Sequence, residues 1–197
     1  CQAYANFIGL DGQFADNVIL QIKNGPVDFQ VREPVHPLFG GMQHTNLMLE
    51  VQIAQEYTGQ QRHVCYLMPW FRQVLEQDMC VPGVPSRVRD LVSGRSYGNV
   101  NCGMTAVTNT GDDENWTGHD LAAANLYGFG RLAYDMSLDP AALAREWARL
   151  TFGLDRQVAD TLTDILMNSW PAYEKYTSPL GIGWMVSPNN HYGPSVD

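Results

Sequence analysis

Two carboxylates and a lysine stand where apolar runs of this chain stop. Asn17-Val18-Ile19-Leu20-Gln21-Ile22 reads as a buried strand, and Lys23-Asn24-Gly25-Pro26-Val27-Asp28 follows it directly. In a second run Leu47, Leu49, Val51 and Ile53 alternate with Met48, Glu50 and Gln52, and the run ends in Gln55-Glu56-Tyr57. Asp28 and Glu56 are therefore expected at the C-terminal tips of two successive strands, where barrels and open α/β sheets keep their chemistry. Paired acids there could protonate a leaving oxygen and activate water at a glycosidic bond. They could equally hold Mg²⁺ or Mn²⁺, or simply form salt bridges and cap helices. Spacing alone leaves all three open. Lys23 beside Asp28 suits an anionic substrate or a lowered Asp28 pKa, and an ordinary salt bridge with Asp28 or Glu33 serves as well.

The elements that must position these groups alternate. After the strands near 17–23 and 47–53, Val64 to Met68 is a further short apolar run. Pro69 can open a helix with Trp70, Val74 and Leu75 on one face, and Arg87 to Val92 reads as a short helix closed by Gly94. Residues 99–107 read as a third strand. Helix-length connections between strands imply a parallel sheet with right-handed crossovers. From about 118 the pattern turns helical. Asp120 can cap a segment reaching about Met136, and Asp139-Pro140 is a strong helix start with Leu143, Trp147 and Leu150 as its apolar stripe. Asp155 caps a third helix with Val158, Leu162, Ile165 and Leu166 inward. The fold expected is α/β: residues 1–112 as the C-terminal portion of a (β/α)8 barrel, and 113–197 as the beginning of an α-helical domain.

Composition narrows the classes. Hydrophobic content of 45% supports a packed core, and a net charge of −9 argues against a nucleic-acid or anionic-membrane surface. No run approaches a membrane span, so neither a nucleic-acid nor a membrane partner is expected. The four cysteines form no CxxC pair, so no zinc site is expected; Cys65 reads as a buried thiol, with a Cys65–Cys80 disulfide left open. The chain starts with Cys, shows neither basic start nor apolar leader, and ends in what reads as mid-loop, so a fragment of a longer protein is expected.

The stretch Asn24-Gly25-Pro26-Val27-Asp28-Phe29-Gln30-Val31-Arg32-Glu33-Pro34 closely resembles a signature of the family 67 glycoside hydrolases, the α-glucuronidases. The segments 48–57 (MLEVQIAQEY), 114–128 (ENWTGHDLAAANLYG) and 178–186 (SPLGIGWMV) match the same family in the same order. The resemblance implies an inverting enzyme that releases (4-O-methyl-)α-D-glucuronic acid from glucuronoxylan-derived oligosaccharides. It places the water-activating carboxylates on Asp28 and Glu56 and the lysine that pairs with the uronate carboxylate on Lys23. The family's general acid lies on an earlier strand and has no counterpart in these residues, so the 197 residues alone are expected to be inactive. No metal or cofactor is implied. The family includes both secreted and intracellular members; an extracellular rather than cytoplasmic location is expected here, and a homodimer of the full-length protein is allowed.

Other residues carry plainer expectations. His36 and His44 read as loop or supporting groups, Arg32 and Glu33 as orienting the loop, and His119-Asp120 as a helix start. Trp70, Trp116 and Trp184 could stack on sugar faces, whereas Trp147 and Trp170 fall in helical patterns and should pack. The competing reading is a non-catalytic carbohydrate-binding protein on a degenerate barrel, which would need Lys23 and the aromatics but not Asp28 and Glu56 together.

Overall fold

The computed structural model describes residues 1–25, 33–54, 56, 62–108, 112, 114–115 and 117–177. Strands β1 (Ile19–Lys23), β2 (Asn46–Gln52) and β3 (Gly103–Val107) pair in that order, all parallel. Parallel neighbours need crossovers, and helices supply them: α2 (Leu38–Gly41) between β1 and β2, α3 (Met68–Glu76) and α4 (Val88–Val92) between β2 and β3. A short helix, α1 (Gln2–Phe7), precedes β1. The third strand is shorter than the 99–107 expected, because Asn99 and Asn101 spend their side chains on backbone carbonyls of neighbouring segments.

The period-two pattern of β2 sorts the sheet into two faces. Ile22, Leu47, Leu49 and Val51 enter one continuous core with Phe39, Phe71, Leu75 and Leu91 from the helical side. The alternate residues Ile19, Gln21, Lys23, Met48, Glu50 and Gln52 belong to none of that core and form a polar face. Register aligns them in rows: Lys23 beside Glu50, and Glu50 beside Thr105.

Three further helices, α5 (Ala123–Tyr134), α6 (Pro140–Phe152) and α7 (Arg156–Thr177), follow without intervening strands. Their starts obey the sequence. Asp139 Oδ2 accepts from the Ala142 N–H at 2.8 Å, Pro140 takes the first turn, and Asp155 Oδ1 accepts from the Val158 N–H at 3.0 Å. Gly153, at φ 96°, stops α6. The buried stripes differ from expectation. Leu150, Val158 and Ile165 are exposed at 70%, 41% and 44%. The seam instead runs through Leu143, Ala144, Trp147 and Ala148 of α6 and Ala159, Thr163, Leu166, Trp170 and Tyr173 of α7. Small residues let two helices approach closely, and that packing gain outweighs burial of the larger aliphatics on the neighbouring rows.

The apolar run Val64–Met68 is irregular up to Met68, which opens α3. Their backbone groups are met by distant side chains. Asn125, 2% exposed, donates to the Cys65 carbonyl at 2.9 Å and accepts from the Leu67 N–H at 2.8 Å; Ser169 Oγ accepts from the Tyr66 N–H at 2.8 Å. The Tyr66 hydroxyl, its pKa raised first by burial and then by Asp139, donates to the Pro140 carbonyl at 3.1 Å. Gly128 completes the joint, since a Cβ there would lie 2.6 Å from Met68 Cγ. The helical layer is thus bolted onto the crossover segment by buried polar contacts, with no break in the core.

Candidate active site

Lys23 is the last residue of β1 and is exposed at the C-terminal end of the polar face. Its register partner Glu50 is only 8% exposed, and Gln21 Nε2 donates to Glu50 Oε2. A buried carboxylate needs such partners. The ladder of β2 continues one residue past the strand, with the Ile53 N–H donating to the Val107 carbonyl at 3.0 Å. The chain then turns, and Glu56, half-buried, reaches back so that Gln52 Nε2 donates to its Oε2 at 3.2 Å. Gln52 stands on the same face as Glu50, two residues further along. Lys23 and Glu56 are therefore at the same end of the sheet, as the sequence predicts.

Asp28 lies outside the described residues, as do Arg32, Trp116 and Trp184, so the structure gives no geometry for them. The two residues that flank its segment do meet. Gly25, at φ 95°, and Glu33, 9% exposed, are in such close contact that a Cβ on Gly25 would fall 2.3 Å from Glu33 Oε2. Glycine is needed there for both space and backbone conformation. Beside them the Asn24 N–H donates to the Glu50 carbonyl at 2.8 Å, while buried Asn24 Oδ1 has no hydrogen-bond partner among the described residues.

The remaining candidates resolve by position. His36 is 4% exposed, and burial holds its pKa below the ordinary imidazole value. Its Nδ1 accepts from the Leu38 N–H at 3.2 Å, which makes it a supporting residue of the loop. His44 lies just before β2, at the far end of the strand from the site. Trp70 is corrected from a sugar platform to a packing residue: its ring stacks on Trp170 with centroids 5.3 Å apart. Trp147 and Trp170 are buried as expected. His119 precedes a 3-10 turn at Asp120–Ala122, so the helix start stands. Its Nε2 lies 3.2 Å from the His63 carbonyl, and His63 Nε2 is 3.1 Å from the Tyr176 hydroxyl. All four cysteines are free thiols, Cys65 buried. Among the described residues no cluster of acids, histidines and cysteines could hold a metal ion. None of the described helices is long and apolar enough to cross a membrane.

Residues 1–116 match the glycosyl hydrolase family 67 middle domain, and residues 117–197 match the glycosyl hydrolase family 67 C-terminus. A strand-end acid and lysine on a polar sheet face thus lie within the match to the middle domain, and the packed helices lie within the match to the C-terminus. The chain belongs to glycosyl hydrolase family 67. It is 51% identical, over 96% of its length, to a probable alpha-glucuronidase A of Aspergillus flavus, and 50% identical over the same share to the alpha-glucuronidase A of Emericella nidulans. The alpha-glucuronidase A of Aspergillus tubingensis is 48% identical. The chain spans 23% of the first of these relatives and 22% of the second, so it corresponds to less than a quarter of such a protein.

Proposed function

We propose that the full-length protein is an inverting α-glucuronidase acting on glucuronoxylan-derived oligosaccharides. The observation that carries it is the placement of Lys23 and Glu56 at the same end of a polar sheet face, in a chain about 50% identical to alpha-glucuronidases. Residues 1–112 form an arc of a (β/α)8 barrel, and residues 113–197 begin a helical domain. Three parallel strands, helical crossovers and a polar face free of core residues support that architecture.

In this reading the Lys23 ammonium pairs with the uronate carboxylate and fixes the sugar ring against the strand ends. A water held by Asp28 and Glu56 attacks the anomeric carbon from the face opposite the leaving xylose. One carboxylate of that pair takes the water's proton as the C–O bond to xylose breaks. A general acid outside these 197 residues protonates the departing oxygen, with acid and base carboxyls about 6.5–9.5 Å apart to leave room for the water. The reaction needs no metal, and its site of action is extracellular.

Incubating the full-length protein with aldouronic acids and following the products by proton NMR tests this. The β anomer of glucuronic acid should appear first and then mutarotate, with turnover unaffected by EDTA. Initial release of the α anomer would refute inversion, and absence of release would refute the activity. The 197-residue chain assayed alone should show no turnover.

A further inference from the structure

Glu56 is a half-buried acid on a turn, and a turn by itself does not fix where a carboxylate points. The structure supplies the missing constraint. Gln52 closes β2 with its side chain on the polar face, because Val51 on one side and Ile53 on the other are buried at 0% and 5% exposure. The Ile53 N–H still bonds to the Val107 carbonyl at 3.0 Å and Gln52 pairs with Val107 in register, so Gln52 stands on the hydrogen-bonded part of the sheet. From there its amide donates to Glu56 Oε2 at 3.2 Å. The same device occurs one step lower, where Gln21 donates to Glu50 Oε2.

We infer that Gln52 is a positioning residue for the water-activating carboxylate: it anchors Glu56 Oε2 over the polar face and leaves Oε1 to receive the proton from water. The inference rests on the reading of Glu56 as a base. An amide is the fitting donor for this task. It orients the carboxylate by one hydrogen bond and places no positive charge beside it. Among the described residues of the strands the charged groups sharing the face are Lys23 on β1 and Glu50 on β2; β3 contributes Thr105 and Val107, which carry none, and Asp112, Asp113 and Glu114 follow it in the chain. Asp28, outside the described residues, is the coupled partner in the proposed site.

The test uses the full-length protein with Q52L, Q52K and, as a control, E56A, each assayed on aldouronic acids across pH. Q52L removes the donor at similar volume. Its kcat should fall about 10- to 100-fold with KM little changed, and the acidic limb of its kcat/KM profile should move up by about one pH unit. Q52K keeps a donor and adds charge, so its acidic limb should move down. Packing damage alone would lower activity in both variants without moving the limb in opposite directions. An acidic limb that stays in place, or moves the same way in both, overturns the inference. If Q52L fails to fold, Q52K decides alone: a downward limb supports it, and an unmoved or upward one refutes it. E56A separates the two levels. Wild-type activity in E56A would sink the reading of Glu56 itself, whereas an inactive E56A with unperturbed Gln52 variants would sink only the role of Gln52.

Discussion

At the N-terminal end of the sheet Asp11 accepts from the Gln43 N–H at 2.9 Å, the His44 N–H at 3.0 Å and the Thr45 hydroxyl at 2.9 Å, and Thr45 Oγ1 in turn accepts from the Gly12 N–H. Asn46 and Asn99 donate to backbone carbonyls on either side. At the C-terminal end the described contacts are of another kind: Glu56 accepts from Gln52 and Glu50 from Gln21, side chain to side chain on the polar face. The same residue types therefore serve two purposes. At one end they tie the backbone of one loop to another; at the other they orient one another's side chains on the polar face. Strand ends built in the first way hold the fold, and those built in the second way can do chemistry.

This contrast can be broken by substitutions at each end. D28A in the full-length protein should lower kcat by about 10³-fold or more while shifting Tm by no more than about 2 °C; a large Tm loss would mean that Asp28 belongs with the structural acids. K23M should raise KM for aldouronic acids by about 10- to 100-fold, the loss expected for a charge-assisted contact to the uronate carboxylate. A carboxyl-reduced substrate should not distinguish K23M from wild type, and if it does, Lys23 acts other than through the uronate. N125L should cost about 2–4 kcal/mol of stability by leaving the buried Cys65 carbonyl and Leu67 N–H unpaired, with kcat in the surviving fold close to wild type. Urea denaturation measures the first, and steady-state kinetics the second.

The smallest effect is expected at Asp11. Burial pushes its pKa up, but the bonds from Gln43, Thr45 and His44 outweigh this and leave it below the ordinary value of 3.8. A carboxyl whose folded pKa is depressed contributes stability above its unfolded value, and that contribution is lost as pH falls through the folded one. D11N should therefore lower Tm by a few degrees at neutral pH, and its gap to wild type should close below pH 3.8. Activity should be unchanged. A gap that widens in acid would contradict the bonding pattern at this end.

Much of this was legible in the chain because its signals are local. The alternation of Leu47, Leu49 and Val51 names both the strand and its buried face, and Asp139-Pro140 and Asp155 announce their helices through side chains that bond within the same turn. Lys23 and Glu56 were visible for the same reason: each follows a strand directly. What depended on distant partners was hidden. The apolar run at 64–68 draws its hydrogen bonds from Asn125 and Ser169, far along the chain, and its composition says nothing of those partners. On α7 close approach at Ala159 and Thr163 moved the buried seam off the larger aliphatics. Gln52 and Glu50 passed as ordinary polar positions of an alternating strand, since only register and the turn at Glu56 reveal what they hold.

The central claim is that the carboxylates at the C-terminal end of the sheet activate water. The most direct measurement is release of glucuronic acid from an aldouronic acid by the full-length protein and its E56A variant, each shown to be folded by its thermal transition. The account predicts a loss of about 10³-fold or more in kcat with a native-like transition. Turnover by folded E56A within about tenfold of wild type would contradict it.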